Sequence, residues 1–151
     1  MQKQDPTELS KYLGTEEFWA RIRTDPAQLA AEVCSINIAK LDETLERHAS
    51  LRAWVNAAFE VARINEARAK WEQTKAQARA TITIKQSKPS ATVQMVEAER
   101  DLDPAIENAT EHLFTQQEIR GGLHAMVSAL EDRRDMLIQI AAKQRKEMQE
   151  Y

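Results

Sequence analysis

Between Pro26 and Pro89 the chain has neither glycine nor proline. Those two residues end or bend helices most readily, glycine through backbone freedom and proline through its missing N–H. Such a stretch without them predicts long, uninterrupted helix. Within it Leu29, Val33, Ile36, Leu41, Leu45, His48, Leu51, Val55, Phe59 and Ala62 recur at steps of mostly three and four, the period of one helical stripe. A helix from Pro26 to about Ala80, rising ~1.5 Å per residue, is on the order of 80 Å long. A compact monomer of 151 residues needs no element of that length.

The flanking signals fit the same picture. Asp103–Pro104 repeats the Asp25–Pro26 pairing of an N-cap with a first-turn proline. After it Ile106, Leu113, Ile119, Leu123, Met126, Leu130, Leu137, Ile140 and Met148 form a second stripe, crossed by Gly121 and Gly122, where a kink or a close helix crossing is expected. Near the N-terminus "DPTELSKYLG" reads as a short helix stopped at Gly14, and "TEEFWARIRT" as another. "ATITIK" alternates Thr and Ile, which predicts a short strand or extended segment near 81–85. Ser90 or Thr92 then caps a brief acidic helix. The expected fold is all-α, an antiparallel, coiled-coil-like hairpin of two long helices, with short N-terminal helices in residues 1–24 and the hairpin in 25–151.

Three glycines and four prolines are too few for the frequent turns of an all-β chain. No apolar run approaches the roughly 20 residues that span a bilayer, and "MQKQDPTELS" lacks the apolar core of an export signal, so a cytoplasmic protein is expected. Cys34 is the sole cysteine, which leaves no disulfide or thiolate metal site within one chain. No glycine-rich phosphate loop, nucleophile elbow or His-Glu-x-x-His pair occurs. His48 reads as a satisfied core histidine. His112 and His124 lack partners at metal spacing. Glu97, Glu99, Asp101 and Asp103 lack the glycine of a calcium loop. These residues lead to an expectation of no enzyme activity, no cofactor and no metal.

Charge is unevenly placed. Residues 63–88 carry a net +5 and residues 89–118 a net −6 in a chain of net −3. The basic block holds Arg63, Arg68, Lys70, Lys75, Arg79, Lys85 and Lys88, with Trp71 among them. Cations that track phosphates beside an aromatic that stacks on bases are what sequence-independent single-strand binding requires. These eight residues are the candidate DNA-binding set, with Lys85 and Lys88 adding reach. Arg133, Arg134, Lys143, Arg145 and Lys146 are offset by nearby acids, so helix-end compensation and assembly are assigned to them. Ile38, Trp54, Ile64 and Trp71 fall off the main stripe and predict self-association.

"LERHASLR", then "EARAKWEQ" some twenty residues on, then the terminal "SALEDRRDMLIQIAAKQRKEM" resemble the phage recombination mediators of the UvsY type. The matching residues are Leu45, His48, Ser50, Leu51 and Arg52, then Arg68, Ala69 and Lys70 with the two cations exchanged, then Ala129, Leu130 and Arg133 or Arg134. The chain departs from that pattern in an added N-terminal region, a missing aromatic pair and "TITIKQSKPS" in place of a glycine-rich loop. The resemblance implies a ring-shaped homo-oligomer, a hexamer or heptamer. Such a ring binds single-stranded DNA and helps load a RecA-like recombinase onto strands covered by single-strand-binding protein, in the cytoplasm of a bacterial host. It further implies that Arg68 and Lys70 are central DNA contacts and that the last helix, through Leu123, Met126, Leu130, Leu137 and Ile140, builds the oligomer. Two other classes fit the residues: a helical scaffold or phage assembly protein that ignores DNA, and an inhibitor whose acidic face mimics nucleic acid.

Overall fold

The computed structural model describes residues 11–150. In chain order they form α1 (Glu16–Thr24), α2 (Pro26–Val33), a 3-10 turn (Ile38–Lys40), α3 (Leu41–Ser87), α4 (Val93–Asp101) and α5 (Pro104–Gln149). The fold is all-α, with no strand among the described residues. Most of "DPTELSKYLG" lies outside them. Its end is helical at Lys11 and Tyr12, and Gly14 has φ +83°, the left-handed stop that glycine adopts most cheaply.

Two expectations are corrected. The helix expected from Pro26 to Ala80 is broken between Val33 and Leu41 and then runs on to Ser87. The break uses neither glycine nor proline. Asn37 is extended, at φ −101° and ψ 102°, and its side-chain oxygen accepts from the Ala39 N–H at 3.1 Å, starting the 3-10 turn. The strand expected near 81–85 is helix. An isolated strand there has no ladder partner, whereas extending α3 gains a backbone bond per residue. The Thr81 hydroxyl donates to the Gln77 carbonyl at 2.9 Å and that of Ser87 to Thr83 at 3.1 Å, so polar side chains in this turn are satisfied by the helix itself.

The expected start signals act in part: Asp25 stands at the N-cap of α2 ahead of Pro26 but makes no side-chain cap hydrogen bond, whereas two others do. Thr92 accepts from Met95 N–H at 3.3 Å to cap α4, and Asp103 accepts from Ala105 N–H at 2.8 Å ahead of Pro104. Helix α5 continues through Gly121 and Gly122. A Cβ on Gly122 would lie 2.7 Å from Ile22 Cγ2 and closer still to the Ile22 carbonyl oxygen, so the glycine marks where α1 crosses α5.

The chain divides into two compact units, residues through Glu60 with those from Gly121, and residues Val61–Arg120. The first holds the larger core. Phe18, Ile22, Leu29, Val55, Leu123, Met126 and Leu130 are fully enclosed. Around Phe18 stand Tyr12, Trp19 and Trp54, all edge-on, with centroids 6.0, 5.1 and 5.4 Å away, and each such pair adds about 0.5–1.5 kcal/mol to simple burial. Trp54, expected at an interface, is instead half-buried in this cluster. In the second unit the buried residues of α3 are small, Ala62, Ala69 and Ala80, alongside Val96, Ile106 and Leu113. Polar pairs supplement that thin core. Gln73 donates to Thr110 at 2.8 Å, and ion pairs join Arg120 to Glu66 and Lys88 to Glu99.

Burial along α3 follows Leu41, Thr44, His48, Leu51, Val55 and Ala62, alternating steps of three and four before a step of seven. Leu45, assigned to the stripe from sequence, is 38% exposed and Thr44 takes its place, with its hydroxyl donating to the Lys40 carbonyl at 2.9 Å. No described helix is long and apolar enough to cross a membrane.

Candidate nucleic-acid interface

All of the basic block from Arg63 to Lys85 lies on α3, in the second unit. At roughly 100° per residue, its buried face carries Ala62, Ala69 and Ala80. The opposite face presents Val61, Ile64, Arg68, Trp71, Lys75, Arg79 and Ile82. Four of these are large and apolar yet open to solvent: Val61, Ile64, Trp71 and Ile82 are 57%, 48%, 61% and 57% exposed. Arg63, Ile64, Ala67, Arg68 and Trp71 line a shallow, largely open groove of about 400 Å³ on the surface of this one helix, with no second element walling it.

The groove gathers three of the sequence candidates, Arg63, Arg68 and Trp71, and adds Ile64 and Ala67, which charge-based reading missed. Their signal was the spacing itself, since Ile64, Arg68 and Trp71 are four and three apart. The Lys75 ammonium lies 5.9 Å from the Trp71 ring centroid, within cation–π range, and is hydrogen-bonded at 2.7 Å to Glu72. That second contact ties one cation of the face to the nearest acid. Arg79 is exposed, about three turns beyond Arg68 and on the same side.

The remaining candidates sit elsewhere. Lys70 is exposed but roughly 160° around the helix from Arg68, on the side of Trp71 where Arg63 stands, itself about 140° from Arg68, so Arg63 and Lys70 lie to one side of the indole and Arg68 to the other. Lys85 is exposed near the end of α3. Lys88, just past it, is ion-paired with Glu99 and is therefore engaged by the acidic segment. That pair closes the turn between α3 and α4.

The side chains assigned from sequence to an oligomer interface are placed differently. Leu123, Met126 and Leu130 are fully buried and Leu137 is 1% exposed, within the single chain. They form the core of the first unit because α1 and α2 supply the apolar residues that enclose it. Only Ile140 is half-buried. On the same helix the open apolar residues are Phe114, Met136, Ile138 and Met148.

Two further corrections concern single residues. His48 is 8% exposed as expected of a core residue, yet neither ring nitrogen has a hydrogen-bond partner. Burial, then the charges of Arg133, Arg52 and Arg134, hold its pKa below the usual imidazole value, so the ring is neutral near pH 7. Arg133, assigned to pairing between subunits, is 7% exposed and donates to the Ser35 carbonyl at 3.3 Å.

Among the described residues no group of three or more His, Cys, Asp or Glu could hold a metal ion. Comparison with protein-family models, curated proteins and solved structures finds no match to this chain. The character of the α3 face therefore rests on its own residues: open cations and one open indole around a shallow groove, a surface suited to a stacked base and its phosphates rather than to an enclosed substrate.

Proposed function

We propose that the protein is a single-stranded DNA-binding recombination mediator, with no catalytic role, whose α3 face holds the strand. One observation carries the reading. Trp71, 61% exposed, stands in a groove with Arg63 and Arg68 and has Lys75 over its ring. A base stacks on the indole, contributing about 1–3 kcal/mol, while the cations meet the adjoining phosphates. Arg79 extends the track along the same side. Lys70 and Lys85 add contacts only where the strand leaves this face.

In this reading α3 and α5 pair as an antiparallel, coiled-coil-like hairpin. The couplings of residue 66 with 120 and of 73 with 110 in the second unit support that order. Copies of the chain assemble into a ring, so that many weak phosphate contacts act together. The open Phe114, Met136 and Ile138, together with the oppositely charged segments 63–88 and 89–118, support self-association. A RecA-like recombinase and single-strand-binding protein are the partners that the resemblance to UvsY-type mediators brings.

A second reading is favoured by one observation. Val61, Ile64, Trp71 and Ile82 also fit the three-and-four spacing of a helix-packing seam. A non-enzymatic scaffold would close that seam on another copy and leave DNA unbound. Anisotropy of a labelled single-stranded oligonucleotide, with sedimentation of the same samples, separates the two. A mediator binds in a salt-sensitive manner, and Arg68→Ala and Trp71→Ala each weaken binding about 5-fold or more without changing the oligomer. Failure of the folded wild type to bind at low salt, or loss of the oligomer in Trp71→Ala, selects the scaffold.

A further inference from the structure

Arg133 is an unusual charge for the first unit. It occupies a core position of α5 between Leu130 and Leu137, with 7% of its surface exposed. One guanidinium nitrogen, Nη2, donates to the Ser35 carbonyl at 3.3 Å, and Nε has no partner. No carboxylate pairs with it among the described residues. An uncompensated buried cation is costly, so it marks either a strained core or a place where an anion belongs.

The surroundings favour an anion. His48, 8% exposed, offers two unpaired ring nitrogens. Arg52 stands four residues from His48, on the same face of α3. Arg134 follows Arg133 directly, and neither Arg52 nor Arg134 has an ion pair or hydrogen bond among the described residues. The charges that act on His48 are, in order, Arg133, Arg52 and Arg134, all cationic. Cys34, beside Ser35, adds only a neutral thiol whose pKa is raised by burial and opposed by the Arg133 charge. Three guanidinium groups thus act on one buried imidazole, and none of the three is ion-paired among the described residues, although Glu131, Asp132 and Asp135 neighbour Arg133 and Arg134 along α5.

We propose that Arg133, His48, Arg52 and Arg134 form an oxyanion site in the first unit that takes a phosphate group. Planar guanidinium forks and an imidazole N–H supply donors from several directions, which suits the oxygens of a tetrahedral phosphate better than the two of a carboxylate. Arg52 is half-buried and Arg134 exposed, so the anion is met from solvent by these two before it reaches Arg133 and His48. The site shares no residue with the α3 groove and stands whether or not that groove binds DNA. Free inorganic phosphate and a backbone phosphate of a nucleic-acid strand present the same chemistry.

Thermal unfolding of the full chain in inorganic phosphate, against chloride at equal ionic strength and pH 7.5, tests the site. Phosphate a hundredfold above its Kd should raise Tm by about 5–10 °C. Arg133→Met should lose that increment, as should Arg52→Gln, which leaves the core intact if the first variant folds poorly. The His48 imidazole resonances should move with phosphate in the wild type and stay in Arg52→Gln. An equal increment in wild type and both variants is a general salt effect and overturns the proposal. So does the absence of any increment above chloride. With the site established, an oligothymidylate that competes for the phosphate-induced His48 shift identifies a backbone phosphate as the ligand. One that leaves the shift unchanged identifies free phosphate.

Discussion

The paired glycines of α5 give a prediction in which the two halves go in opposite directions. Gly121 and Gly122 both cost a helix interior about 1 kcal/mol relative to alanine, so on propensity alone each substitution should stabilise equally. Their surroundings differ. A Cβ on Gly121 meets nothing within 4 Å, whereas one on Gly122 meets the Ile22 backbone carbonyl and, at 2.7 Å, its Cγ2. Ile22 is 0% exposed, as is Phe18 on the same helix, so α1 cannot yield without opening the core of the first unit. Gly121→Ala should gain up to about 1 kcal/mol. Gly122→Ala carries the same gain against an overpacking loss of roughly 1–3 kcal/mol, which is then the difference between the two variants. For a chain of this size that is a gap in Tm of about 2–12 °C, read by calorimetry and checked by urea midpoints. Trimming Ile22 to Ala should not restore Gly122→Ala, because the nearest obstacle is backbone. Equal stability of the two alanine variants would refute the crossing of α1 over α5 at this point.

Three further outcomes are expected. Glu72→Gln releases Lys75 from its 2.7 Å bond; because surface pairs contribute about 0.2–1 kcal/mol, single-strand affinity should rise up to about 5-fold in anisotropy titrations, with a steeper salt slope. His48 is held below its ordinary pKa in the fold by burial and by Arg133, Arg52 and Arg134, so the unfolded chain takes up a proton first as pH falls. Stability should be constant above about pH 6.5 and decline below it by up to about 1.4 kcal/mol per pH unit, a decline that urea midpoints should find reduced in His48→Gln. Arg21 grips Glu32 through two bonds of 2.7 and 3.0 Å, and this holds the Glu32 carboxyl below its usual range. That contribution is present above about pH 4.3 and lost as pH falls. Since the pair is partly exposed, Arg21→Met should cost no more than about 1 kcal/mol at pH 7, less in high salt.

Much of the helical layout is written in local residues. Gly14, Thr92 and the Asp103–Pro104 pair act where they stand, through one dihedral or one capping bond. Features that depend on distant partners are less legible. "ATITIK" has strand propensity but no strand to pair with, so helix wins. The break before Leu41 is made by Asn37, a weaker stop signal than glycine or proline. Trp54 looks like surplus apolar surface until Phe18 and Trp19 are placed against it. The same holds for the basic block. Its charge is visible in the sequence, but the division of Arg68 from Lys70, and the tie between Lys75 and Glu72, come only with the helix.

The two readings of the α3 face make opposite demands on Trp71. As a seam residue it would have to be covered by another copy, and Arg68 and Lys75, three and four residues away, would be drawn into that contact and lose hydration. As a stacking platform it needs those cations hydrated and free to follow phosphates. The flanking residues weigh toward the second. Arg68, Lys75 and Arg79 occupy the stripe at positions where a dry seam would carry apolar side chains, and Glu72 is the nearest acid among them. Packing two such faces together would bring six cations into opposition, whereas a phosphate backbone answers each of them. A partner surface rich in Asp and Glu would also answer them, and the segment 89–118 is such a surface. The ordering of affinities is therefore informative: if an acidic peptide of that segment competes with oligothymidylate for the groove, the strand and a neighbouring copy use the face in turn, and self-association there would hold it closed until DNA displaces it.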